Sequence, residues 1–357
     1  MIPNLLFVKA IGITSGVMVR KLGADTWLSM LIGFAIGTSI MLLTVYLCSK
    51  FPNKTIIEFS EELLGKWVAR GIGVLLAIFF IMSFGASANV LTIHMSEYFL
   101  PSTPFIIICL LYILLCMYGV FLGIEVVVRF SLVGFIMLLL VSFTMITGTI
   151  GEVKAINLFP LMGKGLVADV TGSVYIFGDI SMAILTIGFL YPMLNKKKKV
   201  FRLTFWSMVI GAGMVIIWPV YETMVLGPDL MKQYVLVCMQ QIRCAQLTKY
   251  LPRYELIMMS FFTFVVFVQS AVMFYCAKYC IKQVIKIKKD AILILPLAII
   301  LFFVTYYMAR DDNNYINFLT FPYTQICAAL SIGLPVVLFT VALLRGKLKK
   351  PEETDKS

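Results

Sequence analysis

The sequence predicts an all-α, polytopic membrane protein of about ten transmembrane helices. Of its 357 residues, 61% are apolar and only 13% are charged, and the mean hydropathy of +0.97 is far above that of soluble globular domains. The apolar residues form runs of about 20, the length that an α-helix needs to cross the hydrocarbon core of a bilayer. Most lysines and arginines are grouped between those runs. Composition, run length and charge placement therefore agree on a helical membrane protein.

Ten apolar runs, named spans 1 to 10, are separated by charged residues or by proline. They cover residues 2–19, 26–48, 70–99, 104–122, 127–149, 170–194, 201–226, 253–281, 290–309 and 316–344. Span 1 has the weakest signal, because it is short and carries Lys9. The spans are interpreted as one integral membrane domain, residues 1–344, followed by a short basic cytoplasmic tail, residues 345–357.

The residues between the runs determine the boundaries. A polar, partly amphipathic piece at 54–66 is expected outside the lipid and separates spans 2 and 3. The interruption at 151–168 contains Asn157 and Pro160, and it separates spans 5 and 6. A lysine run ends span 6, and a second group of lysines ends span 8.

Positive charges determine the expected orientation, because cytoplasmic loops carry the Lys/Arg excess and successive loops alternate between the two sides. The strongest clusters lie at residues 196–199, 278–289 and 345–350. They occupy alternate loops, so all three can be cytoplasmic together. Both termini are then inside, and the loops 151–168 and 227–250 are outside. The net charge of +12 is thus explained by the orientation of the chain in the lipid bilayer. A nucleic-acid partner is not expected.

Signatures of catalysis and metal binding are absent from the sequence. The only histidine is His94, and the eight cysteines form no CxxC pair, which leaves too few ligands for a metal site. There is no phosphate-binding glycine loop and no serine nucleophile with a plausible histidine base. We therefore predict that the protein is not an enzyme and that it has no metal or other cofactor.

Polar residues within the apolar runs are informative, because a charge at mid-bilayer costs about 2.5–3.5 kcal/mol on insertion scales unless it has a partner or a water-lined cavity. Span 6 places Gly178 next to Asp179, with Pro192 further on. A glycine beside an acidic residue in mid-helix is what a broken helix uses to expose its backbone to a ligand or an ion. The alternative is a packing glycine and an aspartate paired with a neighbouring helix.

Span 8 carries Gln269 about 16 residues from its start, near mid-bilayer at 1.5 Å rise per residue. Met273 follows one turn later on the same face. A polar amide beside a soft apolar wall suits a small amphipathic ligand such as an amino acid. A buried hydrogen bond between two helices is the alternative.

Charges near the outer ends of spans 7 and 8 allow a simpler interpretation. Glu222 follows Pro219 in span 7, and Arg253 and Glu255 open span 8. Because a charge at a helix end can reach water by extending along the surface, these three are expected to be interfacial anchors or an ion pair. In a protein that moves ions, Asp179 and Glu222 are instead the candidates for ion coupling.

Six short motifs occur in a defined order along the chain. They are DTWLS at 25–29, ELLGKW at 62–67, LPSTP at 100–104, GIEVVVR at 123–129, FLYPMLNKKKK at 189–199 and RYE at 253–255. Together with the ten spans, this set resembles the B subunits of the nutrient germination receptors of bacterial endospores, a branch of the amino acid-polyamine-organocation transporter superfamily. The resemblance covers nearly the whole chain. The motif residues that it singles out are Asp25, Trp27, Gly65, Glu125, Arg129, Pro192, Arg253 and Glu255.

The resemblance implies a transporter-like bundle of the LeuT type in which helices 1 and 6 are broken. It further implies that an amino acid or a similar germinant binds between helices 1, 3, 6 and 8. The ligand-binding residues are then expected to be Phe79, Ser83, Asp179, Ala183, Gln269 and Met273. Compared with the family pattern, the first turns of helix 1 are expected to be missing, and Lys9 stands where an apolar residue or proline is usual.

The leading functional hypothesis is a membrane subunit of a germinant receptor. The resemblance implies an A-type membrane subunit and a C-type lipoprotein as partners, and the spore inner membrane as the location. An ion-coupled amino-acid permease is the main alternative, and a membrane scaffold without a ligand is the third.

Overall fold

The computed structural model of the chain describes residues 1–195, 197–234, 236–244, 255–287 and 289–348, apart from the side chains of residues 312 and 313. Within these residues every regular element is helical. Eight of the described helices are long and apolar enough to cross a membrane, and Phe105–Phe121 is a shorter apolar helix. One of the eight, Ile2–Lys50, contains spans 1 and 2. The prediction of an all-α, polytopic membrane protein is confirmed.

Seven spans are essentially continuous helices. They are span 2 (Thr26–Lys50), span 3 (Lys66–His94), span 4 (Phe105–Phe121), span 5 (Ile124–Thr149), span 7 (Val200–Leu226), span 8 (Glu255–Ile285) and span 9 (Ile294–Met308). Short helices lie between spans at Ile56–Leu64, Pro228–Met231 and Val237–Arg243. Span 8 runs four residues beyond its predicted end at 281, because the lysines there can reach water from a helix that continues past the lipid.

Three spans are interrupted by turns of a different helical pitch. Span 1 consists of Ile2–Lys9, the π-helical turn Ala10–Thr14 and Ser15–Leu22. Span 6 consists of Leu166–Gly172, the 3-10 turn Ser173–Ile176 and Phe177–Leu190. Span 10 has the π-helical turns Leu319–Tyr323 and Ala329–Gly333 among the α-helices Asp312–Phe318, Thr324–Ala328 and Leu334–Leu344. Spans 1 and 6 therefore change helical pitch where breaks were expected, but their backbone stays helical through these turns; the pitch changes in span 10 were not predicted.

The chain reverses direction at Gly23, where φ is 67°, a conformation that glycine adopts without strain. Contacts with span 6 show the reversal. Leu22 lies against Gly172 and Lys9 lies against Asp179, so span 1 runs antiparallel to span 6.

Span 2 runs parallel to span 6 and packs closely on it. Gly33 faces Ile176 and Ser173, and Gly37 faces Ile180. A Cβ atom on Gly33 would lie only 2.2 Å from Ile176 Cγ2, so this approach of the two helices requires a residue without a side chain.

Spans 3 and 6 form much of the interior. In their most apolar windows 72% and 89% of the residues are buried, against 28% in spans 7 and 10. Span 8 packs against spans 3 and 5, and span 1 packs against spans 6, 7 and 8. The interrupted spans 1 and 6 therefore lie inside the bundle, while spans 7 and 10 present most of their apolar surface outward.

Candidate functional site

The interrupted parts of spans 1 and 6 meet at a buried ion pair. Lys9 Nζ lies 3.1 Å from Asp179 Oδ2 and donates a second hydrogen bond to Thr14 Oγ1 at 3.0 Å. The Thr14 hydroxyl in turn donates to Asp179 Oδ2 at 3.0 Å. Lys9 and Asp179 are both almost completely buried. The two charges and the hydroxyl thus pair with one another in the interior of the bundle, and Asp179 Oδ1 is left without a hydrogen bond among the described residues.

Helix irregularity places these groups opposite each other. Lys9 directly precedes the π-helical turn Ala10–Thr14, and Thr14 is its last residue. Asp179 lies in the first turn of Phe177–Leu190, just after the 3-10 turn of span 6. Changes of helical pitch are frequent at functional sites, because they redirect side chains and backbone groups.

Spans 3 and 10 complete the cluster through Tyr323. Its hydroxyl lies 3.0 Å from Ser83 Oγ and donates a long hydrogen bond of 3.5 Å to the Gly178 carbonyl oxygen. Lys9 Nζ lies 5.6 Å from the centre of the Tyr323 ring, within the range of a cation–π contact. Spans 1, 3, 6 and 10 are therefore joined by one polar cluster, made up of Lys9, Thr14, Ser83, Asp179 and Tyr323, which we name the central cluster.

Gln269 connects span 8 to the same region. Its Nε2 atom donates to the Leu5 carbonyl oxygen at 3.1 Å, one turn before Lys9, and lies 2.8 Å from Met182 Sδ. Its Oε1 atom has no hydrogen bond within the described part of the chain. The side chain thus bridges helices and also leaves an acceptor free.

The other predicted ligand-binding residues are buried in apolar surroundings. Phe79 packs edge-on against Phe80, and Ala183 and Met273 are no more than 1% exposed. Of the six predicted residues, the structure brings Ser83 and Asp179 into the central cluster and Gln269 next to it. Phe79, Ala183 and Met273 belong to the surrounding apolar core.

Sequence reasoning missed Lys9, Thr14 and Tyr323 as members of the site. A signal was available for Lys9, since a single cation in span 1 and a single mid-span anion in span 6 are expected to pair. Tyr323 gave no comparable signal, because a tyrosine in an apolar run is compatible with many positions.

Little space is left beside the central cluster. A void of about 10 Å³ adjoins Lys9 and Thr14, with Ile13, Val17, Tyr175, Leu319 and Thr324 as its other walls. This is roughly the space of one water molecule. A ligand of amino-acid size requires the surrounding spans to move.

A larger cleft of about 520 Å³ lies between spans 3, 9 and 10. Its walls include Met82, Tyr307, Arg310, Asn314 and Phe318. The Phe318 ring is also packed against Tyr323, with ring centres 5.7 Å apart. Phe318 thus lines this cleft and also contacts Tyr323 of the central cluster.

Glu222 does not reach water as expected: its exposed fraction is 0%. The helices Pro228–Met231 and Val237–Arg243 pack on span 7, and they explain why a charge near the span's end is covered. Neither carboxylate oxygen has a hydrogen bond of standard geometry among the described residues, although the Ser15 hydroxyl lies close enough to interact with Glu222. Glu222 is thus a buried acid apart from the central cluster, as are Asp25 and Asp169.

The motif residues lie mainly at corners and helix ends. Asp25 Oδ1 accepts a hydrogen bond from the Met162 amide at 2.8 Å, which joins the span 1–2 corner to the loop before span 6. Gly65, with φ 91°, separates the short helix Ile56–Leu64 from span 3, and the half-buried Trp27 is in the first turn of span 2.

The remaining motif residues are equally peripheral. Glu125 and Arg129 form an exposed pair at 3.6 Å, Pro192 lies in the turn after span 6, and Glu255 is the first residue of span 8. Arg253 lies outside the described residues, as does most of the predicted tail.

Comparison with known proteins gives the same family throughout. A family described as "Spore germination protein" matches residues 1–313. Spore germination protein KB of Bacillus subtilis (strain 168) is 23% identical over 97% of this chain and 93% of its own length. Spore germination protein YndE of the same organism is 21% identical over 91% of this chain and 89% of its own length.

Solved structures show the fold. MhsT in complex with L-phenylalanine superimposes with a TM-score of 0.60 at 14% identity, covering 98% of this chain and 88% of MhsT. A manganese transporter of Eremococcus coleocola has a TM-score of 0.50 at 11% identity over 96% of this chain and 78% of its own. The bundle therefore has the transporter fold that the sequence implied.

Proposed function

The chain belongs to the spore germination protein family, and on this premise we propose that it is a membrane subunit of a nutrient germinant receptor. It binds a small germinant among spans 1, 3, 6, 8 and 10 and passes the signal to other subunits. The observation that carries the proposal is the central cluster, because four spans of a transporter fold converge there on buried polar groups beside two changes of helical pitch.

An amino acid or a similarly small polar molecule is the proposed germinant. The free Oε1 acceptor of Gln269 and the Ser83–Tyr323 hydroxyl pair supply hydrogen-bonding groups in an apolar shell. Such a site holds a small amphipathic molecule by a few polar contacts and excludes water with its walls. MhsT was crystallised with L-phenylalanine, which supports the same class of ligand.

The central cluster has no room for a germinant unless the surrounding spans move, and this movement can carry the signal. The cleft between spans 3, 9 and 10 reaches Phe318, which packs on Tyr323. We propose that the germinant enters from this cleft and displaces the Phe318–Tyr323 pair. A ligand that binds only the opened arrangement shifts the population toward it, and partner subunits detect the change in span 10.

The partners and location are proposed from the family. An A-type membrane subunit and a C-type lipoprotein complete the receptor, and the complex lies in the spore inner membrane. The protein itself is an integral, multi-pass membrane protein.

An ion-coupled amino-acid permease is the second candidate. The buried carboxylate of Glu222 favours it: the Ser15 hydroxyl lies beside it and no described cation is paired with it, and an intramembrane acid without a counter-charge is a candidate for binding a coupling ion. Uptake of a labelled germinant by vesicles containing the purified chain alone, driven by an ion gradient, would support the permease.

The deciding experiment is a germination assay on spores that lack this gene, tested with single amino acids, nucleosides and sugars. The receptor proposal expects loss of the response to one class of nutrient and normal germination with the others. Spores that keep every response at the original nutrient concentrations contradict it. Restoring the gene is the control.

A further inference from the structure

Lys9 is held in a site that has the features of a cation-binding site. Its ammonium contacts Asp179 Oδ2 and Thr14 Oγ1 at 3.1 and 3.0 Å and faces the Tyr323 ring. A carboxylate, a hydroxyl and an aromatic face are the groups that bind monovalent cations and ammonium ions.

The backbone also makes room for the ammonium. A Cβ atom on Gly178 would lie 3.0 Å from Lys9 Nζ. Because glycine has no side chain, it leaves space for the ammonium that any other residue at position 178 would reduce. Asp179 Oδ1 has no hydrogen bond among the described residues, which leaves it as a further oxygen for a cation. The site lies where spans 1 and 6 change helical pitch, in the part of the bundle where transporter folds bind ligands and ions.

We propose that the Lys9 ammonium is a tethered occupant of a monovalent-cation site formed by Asp179, Thr14 and the face of Tyr323. The chain supplies the cation covalently, so free Na⁺, K⁺ or a small alkylammonium does not bind there. Removal of Lys9 turns the site into one that takes such a cation from solution. The consequence for germination, which rests on the proposed function, is that the germinant response at this site needs no coupling cation.

The test compares thermal unfolding of the purified full-length chain in lipid nanodiscs. Chloride salts of Na⁺, ethylammonium and the bulky N-methyl-D-glucamine cation are used at equal ionic strength. The variants are the parent, Lys9→Ala and the doubly neutral Lys9→Ala/Asp179→Asn. Lys21→Ala, which removes an exposed lysine from the same span, is the matched control.

The parent and Lys21→Ala are expected to unfold at the same temperature in all three salts. Lys9→Ala is expected to unfold earlier in the bulky cation and to recover by several degrees in Na⁺ or ethylammonium, because a ligand that binds the folded state raises the midpoint. The doubly neutral variant is expected to show no recovery, since the carboxylate is gone. If Lys9→Ala can be purified only when Na⁺ or ethylammonium is present, that requirement supports the proposal in the same way as the recovery in unfolding temperature.

Three outcomes would overturn the proposal. In the first, Na⁺ stabilises the parent as much as it stabilises Lys9→Ala. In the second, the recovery persists in the doubly neutral variant. In the third, no cation restores the stability of Lys9→Ala although the doubly neutral variant folds. None of these depends on spores. The receptor proposal would stand or fall separately by the germination assay.

Discussion

Asp179 and Gln269 are both completely buried, but the structure satisfies them to different degrees. Asp179 Oδ2 accepts from Lys9 and from Thr14, so Lys9 already compensates the charge of Asp179, although Asp179 Oδ1 has no hydrogen bond among the described residues. Gln269 uses its Nε2 group on Leu5 and leaves Oε1 without a hydrogen bond among the described residues. At the scale of single residues, Gln269 is therefore the better candidate for a direct ligand contact.

Replacement of Gln269 by leucine tests that role. Leucine keeps the bulk of the side chain and removes the amide, so the lost ligand contact should weaken the response by roughly 1–3 kcal/mol, or about five- to 150-fold in germinant concentration. The measurement is a dose-response curve of purified spores, normalised to protein level. Ser260→Ala, at an exposed position of the same span, is the control. An unchanged midpoint with reduced abundance would mean that Gln269 only bridges helices.

Interrupted helices are the defining elements of this bundle. The pair Gly178–Asp179 pointed to a break in span 6, and the structure has a 3-10 turn just before it, through which the backbone stays helical. The π-helical turns of span 10 contain Pro322 and Gly333, residues that often accompany a helix irregularity. The sequence thus carried a signal in both spans, but it did not specify the kind of irregularity.

Close packing of spans 2 and 6 leads to a prediction at the same scale. Gly33→Ala would place a Cβ atom 2.2 Å from Ile176 Cγ2 and 2.9 Å from the Ser173 carbonyl oxygen, so the helices must separate. Overpacking of this kind costs about 1–3 kcal/mol, and we expect a lower unfolding temperature and less protein in the membrane.

Gly213→Ala is the matched control, because nothing lies within 4 Å of a Cβ atom there. It should be neutral or slightly stabilising, since alanine favours helices over glycine. Equal stability of the two variants would show that the contact between spans 2 and 6 is looser than described.

At the scale of the whole molecule, ionic contacts join separate elements at the lysine-rich end of the bundle. Glu62 on the short helix Ile56–Leu64 pairs with Lys347, beyond the end of span 10, and with Lys54 at 2.5 Å. Lys197 Nζ donates to Asn53 Oδ1 at 2.9 Å, which connects the turn after span 6 to the loop after span 2. These contacts hold the loops of this end together.

The Glu62 contacts make a pH-dependent prediction. Hydrogen bonds from Lys347 and then Lys54 lower the pKa of the Glu62 carboxyl below its usual 4.5. Because the folded-state pKa is depressed, the contribution to stability is complete above about pH 4.5 and is lost as the pH falls through the folded-state value. The Glu62 side chain is 30% exposed, and ion pairs that are in contact with water are screened, so the contribution is at most about 1 kcal/mol.

The measurement is the unfolding midpoint of the parent minus that of Glu62→Gln across pH. The parent should be the more stable at pH 7, and the difference should disappear as the pH falls below 4. A difference that stays constant down to pH 3 would rule out ionisation of Glu62 as its cause.

Orientation in the membrane is the second prediction for the whole molecule. A reporter fused after Lys199 should be cytoplasmic, and one fused within 229–245 should be extracytoplasmic, because the lysine clusters determine which loops stay inside. If the reporters give the opposite locations, the predicted topology is inverted and the Phe318 cleft lies on the cytoplasmic side.

The sequence by itself determined the class of protein, the approximate limits of the spans and the family. These properties depend on composition, on run length and on short ordered motifs, all of which are local along the chain. Irregularity in spans 1 and 6 was also foreseeable, from the resemblance and from Gly178 beside Asp179, although the structure has changes of helical pitch there and not full breaks. Only the tertiary structure decided which polar residues meet. Lys9 and Asp179 are 170 positions apart, and Ser83 and Tyr323 are 240 apart, so their pairing depends on how the helices pack and rotate against one another. The same packing covers Glu222, which the end of a span alone would have left in water.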